Sequence, residues 1–219
     1  ICAKYDNWKN NFIHYLLTMN DFFTKTDLSR KDAESIISET LNSCDDGELY
    51  LENSKSESIV LDDDKIKSSS YSSDLGYGLR AVTGEVVAYS HSNEISKKSL
   101  KQSANNLSST LKSQNGIYNH EIPQTNEKFY KDVNPIEEKS LQSKLDLLKE
   151  VNNYTRAKGG MVQQVTASFA GEHKSIEIIR SGGEVLTDVR PLIRFNVSVM
   201  LDKDGKKETG VYGIGGRQS

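Results

Sequence analysis

The chain has 219 residues, with 28 Lys and Arg against 31 Asp and Glu, a net charge of −3 and a mean hydropathy of −0.61. That near-balance excludes the concentrated basic face of a nucleic-acid binder, and the runs Lys65–Lys67 and Lys97–Lys101 read as solvated surface in a mixed-sign context. No apolar run reaches the ~18 residues of a membrane span, and Cys2 and Cys44, without a CxxC spacing, fit a reducing cytosol better than a disulfide framework.

A folded chain of this size buries roughly 70% of its unfolded surface, enough for a core without staples. The apolar fraction of only 35% therefore implies long solvated loops, or faces meant to meet something outside the chain.

Residues 1–28 read as an N-terminal extension, with Met19 a candidate native start. The alternative is an amphipathic helix using Trp8, Phe12, Tyr15 and Leu16 at i, i+4, i+7 and i+8. Phe12–Leu17 is too short for a span and lacks the cleavage site of a signal peptide. Ser29 is placed to cap a helix whose stripe is Ala33, Ile36, Ile37 and Leu41. Asp45-Asp46-Gly47 is expected to end it and turn the chain.

Strand patterns follow to Ser92. Leu49 and Leu51, then Ile59 and Leu61, alternate with polar neighbours; Asp62-Asp63-Asp64 is a tight turn, and Ile66 starts the return strand. Gly76–Val82, the turn Thr83-Gly84-Glu85 and Val86–Tyr89 complete an antiparallel meander. A helix is predicted over Ile95–Leu111, with Leu100, Ala104, Leu107 and Leu111 on one face and Ser92 or Asn93 as its cap. Ser113–Asn134 has no period and reads as an exposed connection. A further helix, Ser140–Lys158, carries Leu141, Leu145, Leu148, Val151 and Tyr154 or Thr155 on one face, and Gly159-Gly160 stops it.

The last third is β again. Val165, Ala167 and Phe169 alternate; Ile176 and Ile178 belong to a next strand, turned by Ser181–Glu184; Ile193, Phe195, Val197, Val199 and Leu201 form the cleanest period-2 run. Lys203-Asp204-Gly205-Lys206 is a hairpin turn whose Asp-Gly pair predicts type I′. The order gives an α+β fold of mainly antiparallel sheets with flanking helices. It has two consecutive modules, 29–112 and 140–219, joined by a connection over 113–139.

Chemistry-bearing patterns are sparse. His120-Glu121 lacks the second His of a zinc-peptidase helix, since Gln124 and Thr125 follow and Pro123 would break the helix. His14, His91 and His173 have no Cys or His at ligand spacing; His91 beside Ser92 reads as a strand-end polar residue. Asp62–Asp64 lacks the Gly and distal Glu of an EF-type calcium loop. The cluster Gly210, Gly213, Gly215, Gly216 has no following helix and no Gly-Lys-Ser/Thr, so it reads as backbone that lets another strand or a peptide approach closely.

Three stretches, Glu52–Asp62 (ENSKSESIVLD), Gly76–Gly84 (GYGLRAVTG) and Ala88–Ser92 (AYSHS), resemble the first module of TldD/PmbA metalloproteases. Val162–Gly171 (VQQVTASFAG), Asp188–Val199 (DVRPLIRFNVSV) and Gly213–Arg217 (GIGGR) resemble the second, and the Val-Arg-Pro and Gly-Gly-Arg segments are closest to the TldD subunit. The resemblance runs from about Ser29 to Arg217. It implies a cytoplasmic zinc metalloprotease working as a TldD–TldE (PmbA) heterodimer on unfolded or leader peptides. Its catalytic helix, His-Glu-x-x-x-His with a further Cys ligand, lies in a module C-terminal to these residues, so no catalytic or metal residue carries over. No cofactor is expected in this chain, and no peptidase activity of the chain alone.

The ending at Gln218-Ser219 and the unusual start suggest a truncated or decaying reading frame, or a cut piece. The chain is expected to be the N-terminal, non-catalytic portion of such a protease, acting as scaffold and part of a peptide groove. The alternatives are a regulatory protein that pairs with a full-length family partner, and a gene product without function. Candidate groove or motif residues are Gly76, Gly78, Arg80, Arg190, Arg194, Gly213, Gly215, Gly216 and Arg217. Glycine-rich backbone and open strand edges suit main-chain pairing with an extended peptide. Arg80, Arg190 and Arg194 are candidates for steering acidic segments, with structural ion pairing the favoured reading. Expected partners are a PmbA/TldE-like subunit or a second copy, and an unfolded peptide, with neither nucleic acid nor membrane. An apolar face or open edge at Ile193–Leu201 predicts self-association in isolation.

Overall fold

The structure is a computed structural model that describes residues 22–24, 26–111 and 129–217. The predicted features at Cys2, Trp8–Leu16, His14, Met19 and His120–Pro123 lie outside these residues. The elements run α1 (Arg30–Leu41), β1 (Asp46–Asp62), β2 (Lys65–Thr83), β3 (Val86–Ser92), α2 (Lys97–Leu111), α3 (Leu141–Arg156), β4 (Val162–Arg180), β5 (Val185–Lys203) and β6 (Lys206–Gly216). The strands form a six-stranded sheet in the order β3-β2-β1-β4-β5-β6. β2 pairs antiparallel with β3 and β5 with β6, and Ser181 N–H to Gly47 O and Asp63 N–H to Val165 O run β4 antiparallel to β1. The fold is α+β, as expected. Among the described residues no helix is long and apolar enough to cross a membrane.

Two compact units divide the chain, and the division falls within the long strands. One comprises Ile1–Asn53, Leu75–Asn126 and Ser175–Thr187; the other comprises Ser54–Asp74, Glu127–Lys174 and Asp188–Ser219.

In the first unit, Ser29 caps α1 by accepting from the Asp32 N–H, satisfying one of the orphan donors of the first turn. The face Ala33, Ile36, Ile37 and Leu41 packs with Leu100, Ala104, Leu107 and Leu111 of α2 over Leu49, Leu51, Leu79 and Ala81. Each fully buried Leu or Ile here contributes about 1.5–3 kcal/mol. Two local expectations are corrected. Gly47 already belongs to β1, and a Cβ there would meet Leu41 Cδ2 at 2.6 Å and Arg80 O at 2.8 Å. Close approach of strand to helix end, rather than turn geometry, requires this glycine. The N-terminus of α2 is capped by Ser96, whose Oγ accepts from the Ser99 N–H; Ser92 Oγ instead accepts from the Glu94 N–H.

In the second unit, Ile59 and Leu61 pack with Leu145, Leu148, Ala167 and Phe169, and Val151, Ile193 and Phe195 border them. Ser140 caps α3 as its side chain accepts from the Ser143 N–H. The buried face of α3 differs from the expected one: Lys144, Leu145, Leu148 and Asn152 point inward, while Leu141 and Tyr154 are exposed. A buried lysine is invisible to an apolar-period reading, so the predicted stripe was rotated. Ile136, just beyond the span read as an exposed connection, is buried.

The predicted break before Ile176 is absent. β4 is one strand of 19 residues whose buried side alternates from Val165 through Ile179, with Ile176 buried on the other side as well, so Ile178 faces away from the side that Ile179 buries. The run Ile193–Leu201 is the latter part of β5. Asp204 and Gly205 have φ of 54° and 82° in a two-residue loop pairing Lys203 with Lys206, which is the type I′ geometry expected. The glycine cluster forms β6 and covers β5, moving the open edge one strand outward.

Candidate peptide-binding site

Six of the nine candidate residues fall in the second unit, and five of these lie on β5 and β6. β6 is the last strand of the sheet, so among the described residues one side of its backbone has no strand partner. Natural edges are usually blunted by charge. Here Lys206, Lys207 and Glu208 do so only near the hairpin, and Gly210–Gly216 carries no charge.

The register sets Arg194 opposite Gly215 and Asn196 opposite Gly213 on one face. Arg194 Nε donates to Asn196 Oδ1 at 3.0 Å. A Cβ at Gly213 would stand 2.5 Å from that same oxygen, and a Cβ at Gly215 would stand 2.7 Å from Ile193 O. The glycines therefore form a shelf on which the polar pair lies flat. Gly216 pairs with Ile193, and the Arg217 guanidinium lies 5.0 Å from the centroid of the Tyr130 ring, a cation–π contact. Arg190 is exposed and donates to Asp188 at 2.7 Å.

Gly76, Gly78 and Arg80 belong to the first unit, and the structure gives each a packing or pairing partner. A Cβ at Gly76 would meet Ser92 O at 2.8 Å, and one at Gly78 would meet the Tyr89 hydroxyl at 2.4 Å. Tyr89 in turn stacks on His91 at 5.8 Å. Arg80 donates to Asp46 at 2.6 Å and to Glu48 at 3.2 Å, and Arg180 also reaches Asp46. Burial works to lower the Arg80 pKa, but the two carboxylates outweigh it and raise it. Burial works to raise Asp46, yet the Arg80 hydrogen bond and charge hold it below the usual carboxylate value. Arg80 is thus an ion-pair residue, which the sequence reading favoured.

The acidic turn is engaged in the same structural way. Asp62 accepts from Gln164 and Thr166 and is bridged by Lys67; the bonds from Gln164 and Thr166 lower its pKa. Asp63 accepts from Arg156 and from the Val165 N–H.

Sequence reasoning missed a further feature of the second unit. A pocket of about 460 Å³ opens beside α3, with Phe169, Ile193, Leu147 and Pro135 among its walls and Glu138, Asp146 and Glu150 around it. The exposed Leu147 was the only available signal, since it falls outside the predicted stripe.

For a metal, the described residues offer no cluster of three or more His, Cys, Asp or Glu. His173 comes nearest, with Nε2 3.7 Å from Asp132 Oδ1, and two donors do not make a zinc site. Among the described residues the donor set does not fit the zinc that the resemblance implies.

An antiparallel α+β scaffold with glycine-built edges therefore defines the class. Residues 47–110 match the family model described as PmbA/TldA metallopeptidase domain 1, and residues 134–219 match the PmbA/TldA metallopeptidase central domain. The chain belongs to the PmbA/TldD metallopeptidase family.

It is 36% identical over 174 residues to a metalloprotease TldD homolog of Buchnera aphidicola (subspecies Acyrthosiphon pisum), covering 79% of this chain and 36% of that protein. It is 32% identical over 214 residues to the Haemophilus influenzae TldD homolog, covering 95% of this chain and 43% of that one. The chain thus spans less than half the length of these curated relatives.

Two solved structures share the fold. A gyrase-modulator protein from Thermotoga maritima gives a TM-score of 0.68 at 14% identity, covering 85% of this chain and 42% of that one. TldE from Thermococcus kodakarensis gives 0.63 at 13%, covering 85% and 43%.

Proposed function

We propose that this chain is a non-catalytic, peptide-holding portion of a TldD-type metalloprotease that works in the cytoplasm. In this reading it acts with a PmbA/TldE-like subunit on unfolded or leader peptides, and zinc is held by residues other than those described. The observation that carries the proposal is the uncharged, glycine-rich edge of β6 over Gly210–Gly216. An extended peptide adds to such an edge by pairing its own N–H and C=O groups with the free row, which selects for unfoldedness rather than sequence. Arg194 and Arg217 stand beside this edge and would favour acidic segments or a terminal carboxylate.

The test is binding of a labelled, unstructured 20-residue peptide to the chain, with Val211→Pro and Tyr212→Pro as variants. Backbone N–H groups of neighbouring residues point to opposite sides of a strand, so one of the two substitutions removes an outward donor and the other a ladder bond. Loss of binding in the outward variant, with the melting temperature retained, supports the proposal. Equal binding by both variants and the parent overturns it.

A further inference from the structure

Among the described residues, the second unit leaves half of one sheet face without a helix layer. That unit takes part of five strands, and at about 4.8 Å per strand one helix of about 10 Å diameter covers roughly two of them. α3 does this through Leu145 and Leu148 over Ile59, Leu61, Ala167 and Phe169, touching Ile193 and Phe195 at its border.

The same face continues past the helix. Phe195 is registered with Ile214 and Val197 with Tyr212, while Val199 and Leu201 extend the row along β5. Tyr212 and Ile214 are 68% and 59% exposed. The reverse face of the ribbon is mixed, with Arg194, Asn196, Ser198 and Asp202 beside Met200 and Val211, whereas the side α3 packs on carries the longer apolar row.

The side wall is α3 itself. Leu147 and Tyr154 lie two turns apart, which puts them on one flank, and both are exposed; Lys158 Nζ lies 4.1 Å from the Tyr154 ring centroid, at the end of the flank away from the acidic residues. Leu147 lines the pocket together with Ile193 and Phe169. The charge here is one-sided: Glu138, Asp146 and Glu150 line the pocket against Lys139. The other lysine there, Lys144, is already paired with Glu57.

We infer that this groove, with the β5–β6 apolar face as floor and the Leu147–Tyr154 flank of α3 as wall, docks one amphipathic helix of a partner polypeptide, bearing an apolar stripe and a basic flank. The width left beside α3 fits one helix lying on the sheet, and the acidic rim selects the sign of its flank. The inference concerns a face of the ribbon and not the β6 edge, so it stands or falls separately from peptide addition there.

The probe is a fluorescent 18-residue amphipathic peptide of Leu, Ala and Lys, titrated by anisotropy against the full 219-residue chain. The expected result is saturable binding that weakens at least tenfold when the peptide is scrambled to lose its stripe, and at least tenfold when its lysines become glutamates. Leu147→Asp and Ile214→Asp should each weaken it at least tenfold, and both positions are exposed enough for the variants to keep the parent's melting temperature. The double variant Asp146→Lys, Glu150→Lys should prefer the glutamate peptide. Binding indifferent to Leu147→Asp and Ile214→Asp, or to the sign of the peptide's charge, overturns the inference. So does a dimer in sedimentation that either variant dissolves, because the occupant would then be a second copy of the chain.

Discussion

Lys144 on α3 buries its ammonium against the Glu57 carboxylate on β1, with the same Nζ donating to Ile136 O at 2.6 Å and lying 5.4 Å from the Phe169 ring centroid. The two side chains are only 6% and 12% exposed. One bond set thereby ties α3, β1, β4 and the segment before α3 together. Breaking such a pair from one side leaves a buried charge uncompensated, which costs about 3–5 kcal/mol. Lys144→Met and Glu57→Gln should each lower the stability of this unit by that order in urea denaturation. Substituting both together should cost less than the sum, because no lone charge remains.

The ion pair of Asp46 makes a pH prediction. Its folded pKa lies below the ordinary value because Arg80 outweighs burial. A depressed carboxylate contributes stability that is present above its unfolded pKa, about 3.9, and lost as pH falls through the folded value. Asp46→Asn should therefore destabilise at pH 7 and lose its effect progressively in acid, as read by thermal melts from pH 7 to pH 2.

His173 predicts a loss of the same sign at higher pH. Burial lowers its pKa despite the nearby Asp132, and Lys55 opposes protonation as well. The unfolded state then binds the proton more readily, so stability is complete above the unfolded value, about 6.5, and declines as pH falls below it. Among the described residues, buried Nε2 has no hydrogen-bond partner. His173→Gln should flatten the pH dependence of the melting temperature between pH 7 and pH 5.

The two ends of the β6 glycine series should respond differently to one methyl group. At Gly215 a Cβ meets Ile193 O at 2.7 Å, whereas at Gly210 nothing lies within 4 Å. Gly215→Ala should destabilise the hairpin by about 1–3 kcal/mol through forced strand separation, and Gly210→Ala should be close to neutral. Chemical denaturation of the two variants side by side checks this.

The elements that were legible in the sequence have local causes. Ser29 before Ala33-Ile36-Ile37-Leu41 and Asp204-Gly205 between alternating runs state their structure within a few residues. What escaped depends on distant partners. Lys144 and Asn152 turn inward on α3, rotating the stripe away from Leu141 and Tyr154. Ser96 rather than Ser92 caps α2, because nothing local separates neighbouring serines. The glycines of β6 were legible as close-approach backbone but not as a strand, since glycine lacks the side chains that carry a period-2 signal. At the candidate site, pairing of Arg80 was anticipated as a type; its partners Asp46 and Glu48, 34 and 32 positions away, were not.

Hydrogen–deuterium exchange of the chain with and without a saturating unstructured peptide tests the account most directly, because it reads β6 amides one segment at a time. Slowed exchange within Lys206–Gly216, with β3 at the opposite edge unchanged, is the predicted result. Peptide binding that leaves β6 exchange unaltered would contradict it.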